Sequence, residues 1–398
     1  MKVALLTGGI DKHYASGLWK ALAARGVPVD VVCNREMKPE DAEAQQSVSF
    51  LTLYANLQVR RGKIAKVIVF IQVYLRLMFY AATTSAEIFH ILWNYRIPVF
   101  DRTLLLLYLK VLGKRVVFTA HNINAAERDG ADSLLNRFTL GFQYRNVDHI
   151  FVHTELMKQQ LMEIFRVREQ NISVIPFGTY DMVPQTALTS PEAKKRLGLK
   201  QEEKAILFFG RIAPYKGIDL LVDAFLRIAP KNPSYRLVIA GEPMRDAEAQ
   251  WKEVQAAIEQ SAVSERVVQH TKFIRDDEIE LYFKAADVLV LPYTQIFQSG
   301  VLFMSYSFGL PVIGTDVGSF AHDIIEGETG FVCRSADSED LARVIEAYFS
   351  SDLFRELDEK RARIKDFIQA SHSWEKAGRK TVEVYGRLAH QSEPEYSA

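Results

Sequence analysis

The stretch "AILFFGRIAPYKGIDLLVDAFLRI" (205–228) decides how this chain is read. Residues 205–209 form an unbroken apolar run, as expected of a strand buried on both faces of a parallel sheet. Gly210 stops the run, and an amphipathic helical pattern begins at Ile218. Between them, on a short turn, stand Arg211 and Lys216, with Gly210 and Gly217 beside them. In open α/β sheets ligands bind beyond the carboxyl ends of the strands, and the N–H groups that open the following helix favour an anion there. The glycines let backbone come close, the guanidinium can chelate phosphate oxygens, and the ammonium acts as a point charge. A diphosphate is the natural guest. Two solvated surface cations would show the same spacing, since strand-to-helix turns are often charged.

Working outward, the same alternation recurs on both sides. Before it, "KVALLT", "VPVDVVCN", "AEIFHILW", "RVVFTAHN", "VDHIFVHT" and "ISVIPFG" read as strands. Between them, "LWKALAARG", "RTLLLLYLKVLG" and "ELMKQQLMEIF" read as helices. After Gly178 the pattern breaks, and "TYDMVPQTALTSPEAKKRLGL" reads as a connection plus a short helix. Then "YRLVIAG", "VVQHTKF", "DVLVLPY", "LPVIGTD" and "TGFVCR" resume the strands. The class is α/β, in two Rossmann-like domains. The expected boundaries are 1–178, joined by a last helix at 374–390, and 179–372. That helix carries an apolar stripe at Trp374, Ala377, Val382, Tyr385 and Leu388.

The totals agree with this. A chain of 398 residues is too long for one ordinary core. Lys plus Arg and Asp plus Glu are 49 each, so there is no basic excess for bulk nucleic-acid binding. Cys33 and Cys333 give neither a disulfide framework nor a CxxC metal site, which suits a reducing cytoplasm. The N-terminus "MKVALLTGGI" is a poor signal peptide. No uncharged apolar run reaches the ~20 residues of a spanning helix.

"FFGRIAPYKGIDLLVDAF", "QSGVLFMSYSFGLPVIGTDVGS" and "IIEGETGFV", with "FTAHN" upstream, resemble the motifs of retaining glycosyltransferases of family GT4. The resemblance covers nearly the whole chain. It implies the GT-B fold, with the two domains' parallel sheets facing a central cleft. It implies that Arg211 and Lys216 hold the donor diphosphate and stabilise the departing nucleotide. No metal or other cofactor is then required, and the nucleotide-diphosphate sugar is a co-substrate. Gly9, Gly210, Phe273, Ile274, Gln298, Ser299, Gly300, Val301 and Leu302 fall at donor-binding positions. His121 matches the family's histidine beside the donor sugar. Gly8, His13, Asn122, Asn124 and Arg128 are candidates for the acceptor. The family usually carries two glutamates spaced E-x7-E, and here their places are taken by Ile296 and Met304. Gln298 can substitute for the first by hydrogen bonding; the second has no substitute in the sequence.

The expected reaction is transfer of a sugar to a glycan or lipid-linked glycan, in the cytoplasm or at the inner face of the membrane. "RRGKIAKVIVFIQVYLRLMFY" (60–80) interleaves Arg60, Arg61, Lys63, Lys66 and Arg76 with apolar residues. It reads as a core helix with a solvated face or as a peripheral membrane contact. The rival to an active transferase is an inactive sugar-nucleotide-binding or scaffolding relative, because both glutamates are missing. A nicotinamide enzyme would want G-x-G-x-x-G after an early strand, and "GGIDKHYASG" does not fit it.

Overall fold

In the computed structural model, residues 1–39, 47–54, 63–180 and 183–390 are described. Arg60 and Arg61 lie outside them, as do the side chains of Lys63 and Lys66. Short strands make two sheets. The first holds β1 (Val3–Leu6), β2 (Val29–Val32), β3 (Val48–Leu51), β4 (Ile88–Ile91), β5 (Arg115–Thr119), β6 (His149–Val152) and β7 (Ile172–Val174). The second holds β8 (Lys204–Phe209), β9 (Tyr235–Ala240), β10 (Val267–His270), β11 (Val288–Leu291), β12 (Val312–Thr315) and β13 (Gly330–Cys333). Their orders are β3-β2-β1-β4-β5-β6-β7 and β10-β9-β8-β11-β12-β13, with every neighbouring pair parallel. Parallel strands need helical crossovers, which cover both faces and explain the apolar runs of the sequence.

The chain divides into two units. One is Met1–Gly178 with the segment from His372 onward, and the other is Thr179–Ser371. Helix Ile218–Ile228 buries Ile218, Leu221, Val222, Ala224, Phe225 and Ile228, one continuous face. Each of its larger side chains contributes about 1.5–3 kcal/mol of burial. Helix Trp374–His390 packs on helix Lys12–Ala23 and buries Ala377, Gly378, Thr381, Val384, Tyr385 and Leu388. The apolar stripe is therefore shifted from the expected one: Val382 is half-buried, while Thr381 and Val384 face inward. The Trp374 indole sits over Gly17 and Gly178, where an added Cβ would come within 1.9 and 2.1 Å of the ring. The Tyr385 hydroxyl meets His90 Nδ1 at 2.6 Å, and His90 Nε2 meets Thr119 Oγ1 at 2.7 Å.

One expected helix differs from its pattern. "RTLLLLYLKVLG" folds as a π-turn (Asp101–Leu105) followed by helix Leu106–Val111. Asp101 is buried there and accepts from the Tyr95 N–H at 2.8 Å. Among the described residues no helix is long and apolar enough to cross a membrane.

Candidate functional site

β8 and β1 occupy equivalent places in their sheets. β8 lies between β9 and β11, and β1 lies between β2 and β4. The chain leaves each strand's carboxyl end toward one neighbour and returns beside the other, so a crevice opens there. Gly210 follows β8, and the Gly8–Gly9 pair follows β1.

In the second unit, glycines draw the strand ends together. Gly210 has φ 101°, Gly241 φ 148° and Gly217 φ 62°. A Cβ on Gly241 would stand 2.1 Å from the Gly210 carbonyl oxygen, and one on Gly217 would stand 2.0 Å from that of Pro292. Pro214–Lys216 makes one tight turn before helix Ile218–Ile228. Lys216 is only 8% exposed, unusual for a lysine. Its Nζ stands 5.6 Å from the centre of the Tyr293 ring. A Cβ built on Gly210 would lie 3.1 Å from that Nζ and 3.7 Å from Val301 Cγ2. The ammonium thus faces the start of helix Gly300–Ser307. Ser299, at the N-cap, makes no side-chain cap, so the opening N–H groups are not closed by it. The Tyr180 hydroxyl leaves no room for a side chain at Gly300, where a Cβ would meet it at 2.2 Å.

Arg211 behaves differently. Its side chain is 64% exposed, and its Nε stands 3.8 Å from Glu242 Oε1. Such an exposed pair holds the guanidinium weakly, leaving it able to move to a ligand. Phe273 is exposed and Ile274 buried, just past the end of β10. Leu302 is fully buried, with its N–H on the Ser299 carbonyl. Met304 is buried, and the Ile296 carbonyl presses on Gly318. Neither E-x7-E position offers a polar group from its side chain. Gln298 does: its Oε1 is buried and has no hydrogen-bond partner.

In the first unit, His121 stands just past β5, with its ring stacked on Trp93 (4.1 Å between centres, 5° between planes) and edge-on to Tyr14 at 4.5 Å. Gly8, at φ 61°, leaves no space for a Cβ against Trp93. His121 Nδ1 meets His153 Nε2 at 3.1 Å, and His153 Nδ1 meets the Ile175 carbonyl at 3.3 Å. A carbonyl only accepts, so His153 Nδ1 carries the proton. Burial pushes His153 down to about 4, so its ring is neutral and Nε2 is the acceptor. His121 Nδ1 must then donate. His121 Nε2 is left as a bare lone pair, buried and without a partner. Burial, then His153 and His90, push the His121 pKa well below its ordinary range. The ring offers an acceptor, not a proton.

The acceptor candidates divide. Gly8 and Gly9 frame the β1 loop, and His13 lies in the first turn of helix Lys12–Ala23, capped by Asp11. Asn122 is half-buried beside His121. Asn124 is committed elsewhere, accepting from Asn136 at 2.9 Å and donating to Glu127 at 3.4 Å. Arg128 makes a two-point pair with Asp129. Trp93, Tyr14, His153 and Tyr180 escaped the sequence reading. Trp93 and His153 had a usable signal, since each lies just past a parallel strand's carboxyl end, as His121 does.

Both halves of the chain match known families. Residues 8–179 match the family model described as Glycosyltransferase Family 4, and residues 189–370 match Glycosyl transferases group 1. A D-inositol 3-phosphate glycosyltransferase of Mycobacterium sp. (strain JLS) is 30% identical over 242 residues, covering 59% of this chain and 54% of that protein. The match thus spans about half the length of such curated relatives. Among solved structures, sucrose-phosphate synthase from Thermosynechococcus elongatus superposes with TM-score 0.78 at 20% identity, covering 98% of this chain and 100% of that one. Anabaena HepE, solved with UDP and glucose, gives TM-score 0.76 at 15% identity, covering 98% and 100%.

Proposed function

This chain belongs to glycosyltransferase family 4, with the GT-B fold, and we propose that it moves a sugar from a nucleotide-diphosphate sugar to an acceptor hydroxyl. The observation that carries the proposal is Lys216: a lysine buried where the end of β8 meets the start of helix Gly300–Ser307. A buried ammonium, unclosed helix N–H groups and a movable guanidinium at the rim suit two phosphates. As the bond from the anomeric carbon to the diphosphate breaks, its electrons pass to the leaving oxygen, and Arg211 with Lys216 neutralises that charge. The acceptor oxygen bonds the anomeric carbon from the same face, and its proton passes to the leaving phosphate. Configuration is retained without a side-chain nucleophile. The two cations take the part a metal plays in other transferases, so the proposed step uses none. His121 Nε2 accepts from a sugar hydroxyl. The acceptor we infer is a glycan or lipid-linked glycan of polysaccharide or glycoconjugate synthesis, at the cytoplasmic side.

The test is nucleotide release from a panel of UDP-, GDP- and ADP-sugars, with UDP-glucose first because the Anabaena neighbour was solved with UDP and glucose. Lys216→Ala should lower turnover about 10²–10³-fold, the cost of removing a preorganised charge partner. Turnover unchanged by Lys216→Ala and Arg211→Ala would remove the site assignment. A competing reading, a binding protein without turnover, is favoured by the apolar Ile296 and Met304. It predicts thermal stabilisation by the nucleotide sugar with no release.

The exposed face of helix Lys63–Thr83 supports a peripheral membrane contact. Val67, Ile71, Leu75 and Phe79 recur every fourth residue and are all exposed, with Ile68 and Arg76 beside them. The Tyr108 hydroxyl bonds the Met78 carbonyl at 3.0 Å, placing helix Leu106–Val111, with its exposed Leu107 and Val111, alongside. An exposed apolar strip with Arg76 beside it suits an anionic bilayer surface. Sedimentation with anionic vesicles at low salt should carry the protein down, and Leu75→Asp with Phe79→Asp should abolish it. A protein that stays in the supernatant with such vesicles refutes the contact.

A further inference from the structure

Tyr293 follows the carboxyl end of β11 by two residues, and the lysine of the donor site lies over it. The Lys216 Nζ stands 5.6 Å from the centre of the Tyr293 ring, and both residues are buried, the tyrosine to 1% exposure. The ring is held from several sides. Tyr215 meets it edge-on at 6.0 Å between centres, and the fully buried Phe320 tilts against it at 5.6 Å. The hydroxyl of Thr315, which ends β12, donates to the Tyr293 carbonyl at 2.5 Å. The Thr294 N–H donates to the Tyr215 carbonyl at 2.8 Å, tying the loop after β11 to the turn that bears Lys216. The Tyr293 hydroxyl itself is buried and has no hydrogen-bond partner. What this residue offers its surroundings is therefore its ring.

We propose that Tyr293 is a positioning residue: its ring holds the Lys216 ammonium at the end of β8, in place for the donor diphosphate. The inference rests on the nucleotide-sugar reading of the site. A buried ammonium loses its water, and an aromatic face offsets part of that loss through the ring quadrupole. A carboxylate would hold the lysine more firmly, but its full negative charge would compete with the phosphates for it. A ring holds the cation without adding a negative charge to the site. Arg211 is the contrast, since its guanidinium stands near the Glu242 carboxylate and must leave it to meet a ligand.

Without the ring, the flexible lysine stem can turn its head group out to solvent. Binding must then draw the ammonium back. An ammonium in place for about one tenth of the time costs about tenfold in affinity. Turnover falls with it, because the same charge meets the leaving oxygen.

The experiment measures binding of UDP, GDP and ADP to wild type, Tyr293→Leu, Tyr293→Phe, Lys216→Ala and the double variant of Lys216→Ala with Tyr293→Leu. The wild type should bind one of the three diphosphates. Tyr293→Leu should weaken that diphosphate about tenfold. Tyr293→Phe keeps the ring and removes only the unpartnered hydroxyl, so it should rescue the affinity. In the Lys216→Ala background, Tyr293→Leu should cost nothing further, because the ring acts only through the ammonium. A normal affinity in Tyr293→Leu, or a loss as large without Lys216 as with it, would overturn the inference and leave the donor site standing. A loss in Tyr293→Phe equal to that in Tyr293→Leu would overturn it too, by giving the role to the hydroxyl. A wild type that binds none of the three would sink the nucleotide-sugar reading itself, and the inference with it. Should Tyr293→Leu fail to fold, Tyr293→Phe carrying one, two or three ring fluorines nearly keeps the shape while weakening the quadrupole. Affinity should then fall with each fluorine, and a flat series would overturn the inference.

Discussion

At the scale of single residues, the direction of a proton decides what each group can do. His121 is neutral and its free nitrogen is a lone pair, because His153 and the Ile175 carbonyl fix the tautomers in sequence. His153→Ala leaves His121 Nδ1 unpaired and lets the ring turn or exchange tautomers. Turnover should fall about tenfold, with thermal stability and donor affinity monitored alongside. An unchanged rate would show that His121 needs no orienting partner. His121 should also contribute no limb to the pH–rate profile near 6.5, since burial holds its pKa well below that value.

At the scale of elements, helix Trp374–His390 is fastened by shape. Gly17→Ala puts a Cβ within 1.9 Å of the Trp374 ring. The helix must shift or the indole must leave its notch, and the loss should be about 2–3 kcal/mol by thermal or urea unfolding. Gly26→Ala makes a control of a different kind: nothing lies within 4 Å, but φ is 72°, so any cost there is local strain. The elements themselves were largely legible. Strands such as 205–209 are apolar without interruption because a parallel sheet buries both faces, and Gly210 and Gly217 mark their turns because no other residue adopts those angles cheaply. The stripe of the last helix was read one position off at Val382, since Thr381 counts as polar in a pattern but is buried here, donating to the Ala377 carbonyl. The π-turn at 101–105 had no signal, because an extra residue in a turn leaves the apolar spacing nearly intact. Around the site, Arg211 and Lys216 were visible because they are close in sequence. Trp93 with His121 is a pair made by the sheet order, and spacing along the chain does not encode it.

At the scale of the molecule, acid should act unequally on the two units. His90, His149 and His153 are buried in the first unit, with pKa values pushed down to about 3, 4 and 4. Their stabilising effect is full above the unfolded value near 6.5 and is lost as pH falls below it, because the unfolded chain takes up protons that the folded one excludes. From pH 7 to pH 5 each costs about 2 kcal/mol. Asp101, raised to about 6 by burial, works in the opposite sense and offsets about 1 kcal/mol. Hydrogen exchange at pH 5 should therefore show β4 and β6 opening before β8 and β11. Uniform opening of both sheets would contradict this. The closing turn of the chain carries a further consequence. The Tyr385 hydroxyl completes the hydrogen bonds of His90 on β4, and Trp374 fills the notch over Gly17, yet both residues are translated after the whole of 179–371. On the ribosome the second Rossmann-like unit can finish first, while the amino-terminal one waits, its groove unfilled and its histidine unmet, until the last helix emerges.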